Sequence, residues 1–326
     1  MPEKKAVRSA PTKRESITVG KFFARHRKEL GLRLVGEDCG YDREIQEPTI
    51  NRPGLALAGY FSYFAFKRIQ VIGKAERSYL RSLDLEDKAK RFLDFVKRDI
   101  PCIIISRGET LSDRLLEIAN AHGISVFRTS MVTMNFINAA TIQMEWDFAP
   151  TQNVHGCMVD SMGIGIFIRG DSGMGKSECV LSLLRRGASL VADDVVIFRN
   201  IEGREIIGEA KELGKSHMEV RGLGIINVGA IFGIGSIRLE KRLDLVVTLK
   251  REDDINQLER FGAEQREFSL LGLKIPEVEL PVAPGRDLAQ MIEVAALDQK
   301  LRSFGYNTAV EFNKKLLKIM RDRRIN

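Results

Sequence analysis

The chain has 326 residues, 44% hydrophobic and 29% charged, with four cysteines and a formal net charge of +7. That length suggests two domains, and that balance is the one of an ordinary globular protein. No apolar run is long enough to span a membrane, since the longest candidate, 55–66, is broken by Gly59 and Ser62. The excess charge is confined to one end: residues 1–33 hold ten Lys/Arg against three Glu, and the remainder balances at 41 of each sign. A nucleic-acid groove needs basic side chains spread across the fold, so no nucleic acid is expected as a partner. Cys39, Cys102, Cys157 and Cys179 form no C-x-x-C pair, which argues against a zinc site or disulfide framework and suits a cytoplasmic location.

In chain order, residues 1–16, with two prolines and many charges, are expected to form a disordered basic leader. Glu3 and Glu15, and the lack of an apolar segment, distinguish it from a secretory signal. Residues 17–34 read as a helix with Val19, Phe22, Phe23 and Leu30 on one side. Asn51-Arg52-Pro53-Gly54 is a turn signal. Strands at 69–72, 102–105 and 124–127 then alternate with helices at 85–96, 112–121 and 130–144. Alternation of this kind predicts an N-terminal open α/β domain over 17–150. Nothing in that half carries a phosphate fingerprint or a cluster of His and carboxylates, so on its own it reads as a ligand-binding or assembly domain of unknown specificity, with an assembly or regulatory role expected.

A second domain is predicted over 151–326. It opens on Val154-His155-Gly156 and a strand at 157–159. Gly163 to Ser177 is the most informative stretch. Ile164, Ile166, Phe167 and Ile168 make a buried strand, and Lys176 starts a helical pattern reaching Arg186. Between them, Gly170-Asp171-Ser172-Gly173-Met174-Gly175-Lys176-Ser177 matches G-x-x-x-x-G-K-[ST] in the strand–helix context of a phosphate-binding loop. Glycines let backbone N–H groups turn inward around a polyphosphate. Lys176 is expected to reach the β- and γ-phosphates of ATP, and the Ser177 hydroxyl to hold Mg²⁺. A strand at 189–191 ends in Asp193-Asp194, where a neighbouring strand commonly delivers a carboxylate to such a loop. Adjacent strand residues point to opposite faces, so one of the two is expected to enter the site. Glu219, in a charged pair ahead of a glycine-rich bend, Arg260, and Arg286 at the end of Pro281-Val-Ala-Pro-Gly-Arg286 are further candidates. So is His155. An amphipathic helix at 286–303 and a basic helix at 310–320 close the chain.

Taken in order, Val154-His-Gly156, Gly170 to Ser177, Ala192-Asp-Asp194, Glu219-Val-Arg-Gly-Leu-Gly-Ile-Ile-Asn227 and Pro281 to Arg286 resemble bacterial HPr kinase/phosphorylase. The resemblance extends more loosely to Asn51-Arg-Pro-Gly-Leu-Ala-Leu-Ala-Gly-Tyr60 and Cys102 to Arg107. It implies a catalytic fold like that of phosphoenolpyruvate carboxykinase, assembled as a homohexamer. It also implies two reactions at one site: ATP-dependent phosphorylation of a serine on the phosphocarrier HPr, and removal of that phosphate by inorganic phosphate with release of pyrophosphate, in the regulation of carbon metabolism. By similarity, Asp194 is the base that takes the serine proton and returns it in reverse. Lys176, His155 and Arg260 stabilise the transferring group, and Ser177 and Glu219 hold Mg²⁺. If Asp193 and Asp194 are buried side by side, mutual repulsion would suit one of them to act as both base and acid. A kinase for a small metabolite and a nucleotide-dependent binding module are the alternatives.

Overall fold

The structure, a computed structural model, describes residues 10–12, 15–251, 266–308 and, within the last helical stretch, 310–312, 314–315 and 319–320. The chain divides into two compact units: 13–149, and 150–326 together with the N-terminal end up to Thr12.

The first unit runs β1 (Ile17–Thr18), α1 (Val19–His26), β2 (Arg33–Val35), β3 (Glu44–Ile45), β4 (Ile50–Asn51), α2 (Gly54–Leu57), β5 (Ile69–Ile72), α3 (Lys74–Ser82), α4 (Leu85–Val96), β6 (Cys102–Ile105), α5 (Asp113–Ala121), β7 (Ser125–Arg128) and α6 (Thr133–Phe148). A five-stranded sheet has the order β2-β7-β6-β5-β4, with β4 to β7 parallel and β2 antiparallel at the edge. β5 and β6 are buried at every residue, as strands covered on both faces must be. One face packs Phe22, Phe127, Phe136 and Met144; the other packs Leu57, Phe92, Phe95 and Ile103. The expected helix over 17–34 is much shorter. Ile17 pairs with Ile45, the Thr18 hydroxyl caps α1 at the Lys21 amide, and the chain turns after His26 to form β2.

The second unit continues with β8 (Thr151–His155), β9 (Cys157–Ser161), β10 (Ile164–Arg169), α7 (Lys176–Arg185), β11 (Ser189–Ala192), β12 (Val195–Ile201), β13 (Glu205–Ala210), β14 (His217–Val220), β15 (Gly224–Asn227), α8 (Val228–Phe232), β16 (Glu240–Arg242), β17 (Leu245–Arg251), β18 (Arg266–Leu270), β19 (Leu273–Val282) and α9 (Leu288–Ser303). A six-stranded sheet, β11-β9-β10-β17-β19-β18, lies between two apolar layers. On one side Phe167 of β10 meets Phe198 of β12 edge-on at 5.0 Å, joining it to the four-stranded sheet β16-β13-β12-β8. On the other side Ile166, Ile168 and Val247 pack against Val180, Leu183 and Ile292 of α7 and α9. β10 is therefore covered on both faces, which is why its apolar run is nearly unbroken. Strands β18 and β19 and the hairpin β14–β15 were not expected from local pattern. Residues 1–9, 13 and 14 of the expected leader lie outside the described residues; Thr12 is described, and its amide and carbonyl pair with those of Thr151 at 2.9 and 2.8 Å. The expected helix over 310–320 lies in part outside the described residues.

One glycine sets the corner between the two sheets of this unit. Gly156 has φ +149°, and an added Cβ would sit 2.5 Å from Phe167 Cε2 and 2.6 Å from the Ile168 carbonyl oxygen. Gly156→Ala is expected to cost about 2–5 kcal/mol, combining a disfavoured backbone conformation with overpacking against β10. Urea denaturation at constant m-value measures this, and a loss under about 0.5 kcal/mol would refute it.

Candidate functional site

The sheet order explains why distant residues meet. Cys157, at the start of β9, pairs with Ile168 near the end of β10, and Met158 pairs with Ala192 at the end of β11. The turn after β10 and the Asp193-Asp194 turn after β11 thus emerge beside each other on one edge of the sheet. The glycine-rich turn runs from Gly170 to Gly175, and Gly175 takes φ +78° as the residue preceding α7, a conformation that favours a residue without Cβ. Lys176 and Ser177 form the first turn of α7. The Lys176 ammonium donates to the carbonyls of Gly170 (2.9 Å) and Asp171 (3.0 Å), so it lies back across its own turn.

Asp193 is the hub. Its Oδ1 accepts from the Cys157 thiol at 3.0 Å and from the Ser177 hydroxyl at 3.5 Å, and its Oδ2 accepts from the Glu219 amide at 3.0 Å. Burial first, and then the adjacent Asp193 charge, push the Cys157 thiol well above its ordinary range, so it stays protonated and serves as a donor. The hairpin β14–β15 buries Met218 and Val220 in the core beneath α7 and leaves Glu219 exposed between them. The backbone alternation and the Asp193 bond together fix where Glu219 lies.

Asp194 is placed differently. It does not continue a strand: it sits in a turn with φ +64°, its carbonyl accepting from the Gly156 amide at 2.9 Å. Its Oδ1 is 3.7 Å from His155 Nδ1, and the two side chains are 81% and 56% exposed. The expectation of two aspartates buried side by side is not met. Strand alternation does not apply to the pair, because Asp194 lies in the turn after β11 and not in a strand.

Of the sequence candidates, the structure brings together Ser177, Asp193 and Glu219, with His155 and Asp194 beside them. Arg260 lies outside the described residues. Arg286 is exposed after β19, and among the described residues no hydrogen bond or ion pair links it to Lys176, Asp193 or Asp194. Its neighbour Asp287 binds Arg186 at 2.5 Å and caps α9. The sequence offers Asp193 and Asp194 as a pair, with a base role implied only for Asp194 by the resemblance, and Cys157 carries no signal there, since its apolar setting reads as core. The signal available was the pair of aspartates, read as a strand end rather than a turn.

The donor set is hard oxygen: one hydroxyl and one carboxylate in contact, with the Glu219 strand bonded to that carboxylate. This fits Mg²⁺, which takes one or two protein carboxylates and completes its shell with phosphate and water. Among the described residues, no cluster of three or more His, Cys, Asp or Glu forms an all-protein metal cage.

The family model for the HPr Serine kinase C-terminal domain matches residues 146–316, and that for the HPr Serine kinase N terminus matches 17–144. The chain is 39% identical over 308 residues to the HPr kinase/phosphorylase of Chloroherpeton thalassium, covering 94% of this chain and 91% of the relative. It is 40% identical over 303 residues to that of Leptospira biflexa, covering 92% and 94%. Among solved structures, the Hpr(Ser) kinase/phosphatase from Coxiella burnetii aligns with a TM-score of 0.45 at 28% identity, over 49% of this chain and 97% of that one.

Proposed function

The chain belongs to the HPr serine kinase family, and from that premise we propose that it transfers the γ-phosphoryl group of ATP to a serine of HPr and removes it again by phosphorolysis. The observation that carries this reading is the Asp193 carboxylate, which ties the first turn of α7 to the Glu219 strand and sets the Asp194 turn beside both. In this reading Gly170 to Ser177 is a phosphate-binding loop of the phosphoenolpyruvate carboxykinase kind. Its amides hold the triphosphate, and the Lys176 ammonium exchanges the loop carbonyls for phosphate oxygens. Ser177, Asp193 and Glu219 would hold Mg²⁺, which supplies charge neutralisation at the phosphates when bound.

Asp194, exposed beside His155, takes the proton of the incoming serine hydroxyl as that oxygen bonds to the γ-phosphorus and the bond to ADP breaks. In the reverse direction inorganic phosphate attacks the phosphoserine, the serine oxygen leaves, and Asp194 returns a proton to it, giving pyrophosphate. By the family resemblance, His155 and Arg260 would stabilise the transferring group. An exposed base suits a macromolecular substrate, because the hydroxyl arrives on the surface of another protein. The 151–326 segment is the catalytic domain and 17–150 the assembly or regulatory one. A cytoplasmic homohexamer regulating carbon metabolism completes the reading.

The test is incubation of the purified chain with ATP, Mg²⁺ and HPr, followed by addition of phosphate. Phosphoserine on HPr, then pyrophosphate stoichiometric with its loss, is the expected result. Turnover of ATP onto a small metabolite without HPr, or nucleotide binding with no transfer, would refute it.

A further inference from the structure

The first unit carries a second place where charged groups converge without a role in phosphoryl transfer. Because β4, β5, β6 and β7 are parallel, the segments leaving their carboxyl ends all emerge on one edge of the five-stranded sheet. A cavity of about 520 Å³ opens there, within the size range of small-molecule sites. Each of the four segments contributes to its lining: Arg52 after β4, Lys74 after β5, Arg107 after β6, and Val132, Thr133, Met134 and Ile137 after β7.

The charges in this cavity do not cancel. Arg52 is held by Glu76 through a fork of two bonds at 3.1 and 3.0 Å, so its charge is answered within the protein. Lys74 and Arg107 are exposed, and among the described residues neither has an ion-pair partner. Glu109, two residues beyond Arg107, is instead taken by Arg77 at 2.7 Å. Among the described residues, no carboxylate lines the cavity. The Arg107 backbone is fixed, its amide donating to the Met131 carbonyl at 2.9 Å and the next amide to the Thr129 carbonyl at 2.7 Å. The loop after β6 is thereby bound to the loop after β7, which holds the root of Arg107 against the apolar wall. That wall is Val132, Met134 and Ile137, the first two more exposed than core side chains of their kind.

We propose that this cavity binds a small organic phosphate: a phosphate monoester whose dianion lies between Lys74 and Arg107 and whose apolar body rests on Val132, Met134 and Ile137. Two uncompensated cations match a dianion better than a single carboxylate. The planar guanidinium matches two phosphate oxygens at once, and the ammonium adds a point charge. The apolar wall distinguishes an organic ester from the free ion. This inference is independent of the reading of the second unit.

Calorimetric titration of the full chain with phenyl phosphate, and separately with inorganic phosphate, tests it. Three forms are compared: unchanged, Lys176→Ala, and Lys74→Glu with Arg107→Glu. Saturable phenyl phosphate binding is expected to persist in Lys176→Ala and to weaken at least tenfold in the double variant. Inorganic phosphate is expected to bind that Lys176→Ala form at least tenfold more weakly than phenyl phosphate. If the double variant is not folded by circular dichroism, Lys74→Gln and Arg107→Gln singly are each expected to weaken binding severalfold. Binding lost with Lys176→Ala alone would place the anion in the glycine-rich turn and overturn the proposal. So would binding indifferent to both cations, or equal affinity for the two probes.

Discussion

Asp194→Ala is expected to lower both HPr phosphorylation and its phosphorolysis by about 10²–10⁴-fold, the range for loss of a positioned general acid–base. Its side chain is 81% exposed, so little packing is lost and the melting temperature should hold within a few degrees. The binding of ATP should change little, because Lys176 and Ser177 remain. The decisive comparison is between directions. One carboxylate serving as base and then as acid requires parallel losses, measured as initial rates of phosphoserine formation and of pyrophosphate release. Activity within tenfold of the unchanged chain in either direction would remove Asp194 from the mechanism. His155, 3.7 Å away, would then be the next group to replace.

Asp193→Ala is expected to abolish activity by a different route and to destabilise the second unit. Three donors converge on this carboxylate: the Cys157 thiol, the Ser177 hydroxyl and the Glu219 amide. Leaving a buried donor without an acceptor costs about 1–3 kcal/mol, and Cys157 is the donor with no access to water. Because a thiol is a weak donor, a loss of about 1–2 kcal/mol in chemical denaturation is therefore expected, with activity falling at least a hundredfold as the Glu219 strand loses its tether. Asp193→Asn separates shape from charge. It restores one acceptor oxygen, so stability should partly recover, while the missing charge keeps the requirement for Mg²⁺ raised. Cys157→Val removes one donor and leaves the other two, so its effect on activity should be much smaller. If Asp193→Asn were fully active at ordinary Mg²⁺, this carboxylate would be a structural tie alone.

The contrast between the two aspartates shows what local pattern could reveal. Both were visible as a pair at a strand end, 17 and 18 residues after Lys176. Their roles depend on the turn that follows Ala192, where Asp194 takes a positive φ and its carbonyl is claimed by Gly156. Strand periodicity carries no information about such a turn.

The amino-acid sequence alone determined the segments whose cause is local. α4 runs from Leu85 to Val96 as its apolar spacing predicts, and β10 ends where its β-branched and aromatic run gives way to glycine. The ordered motifs likewise sufficed to identify the family. Tertiary structure alone decided what depends on register between distant strands: the convergence of Cys157, Ser177, Asp193 and Glu219, the shortening of the first helix when Ile17 found Ile45, and the placing of Lys74 and Arg107 in the lining of one cavity. The physical reason is that helical and strand periodicity record which face of an element is buried, whereas pairing partners are selected by closure of the whole sheet, a cooperative choice made by residues far apart in the chain.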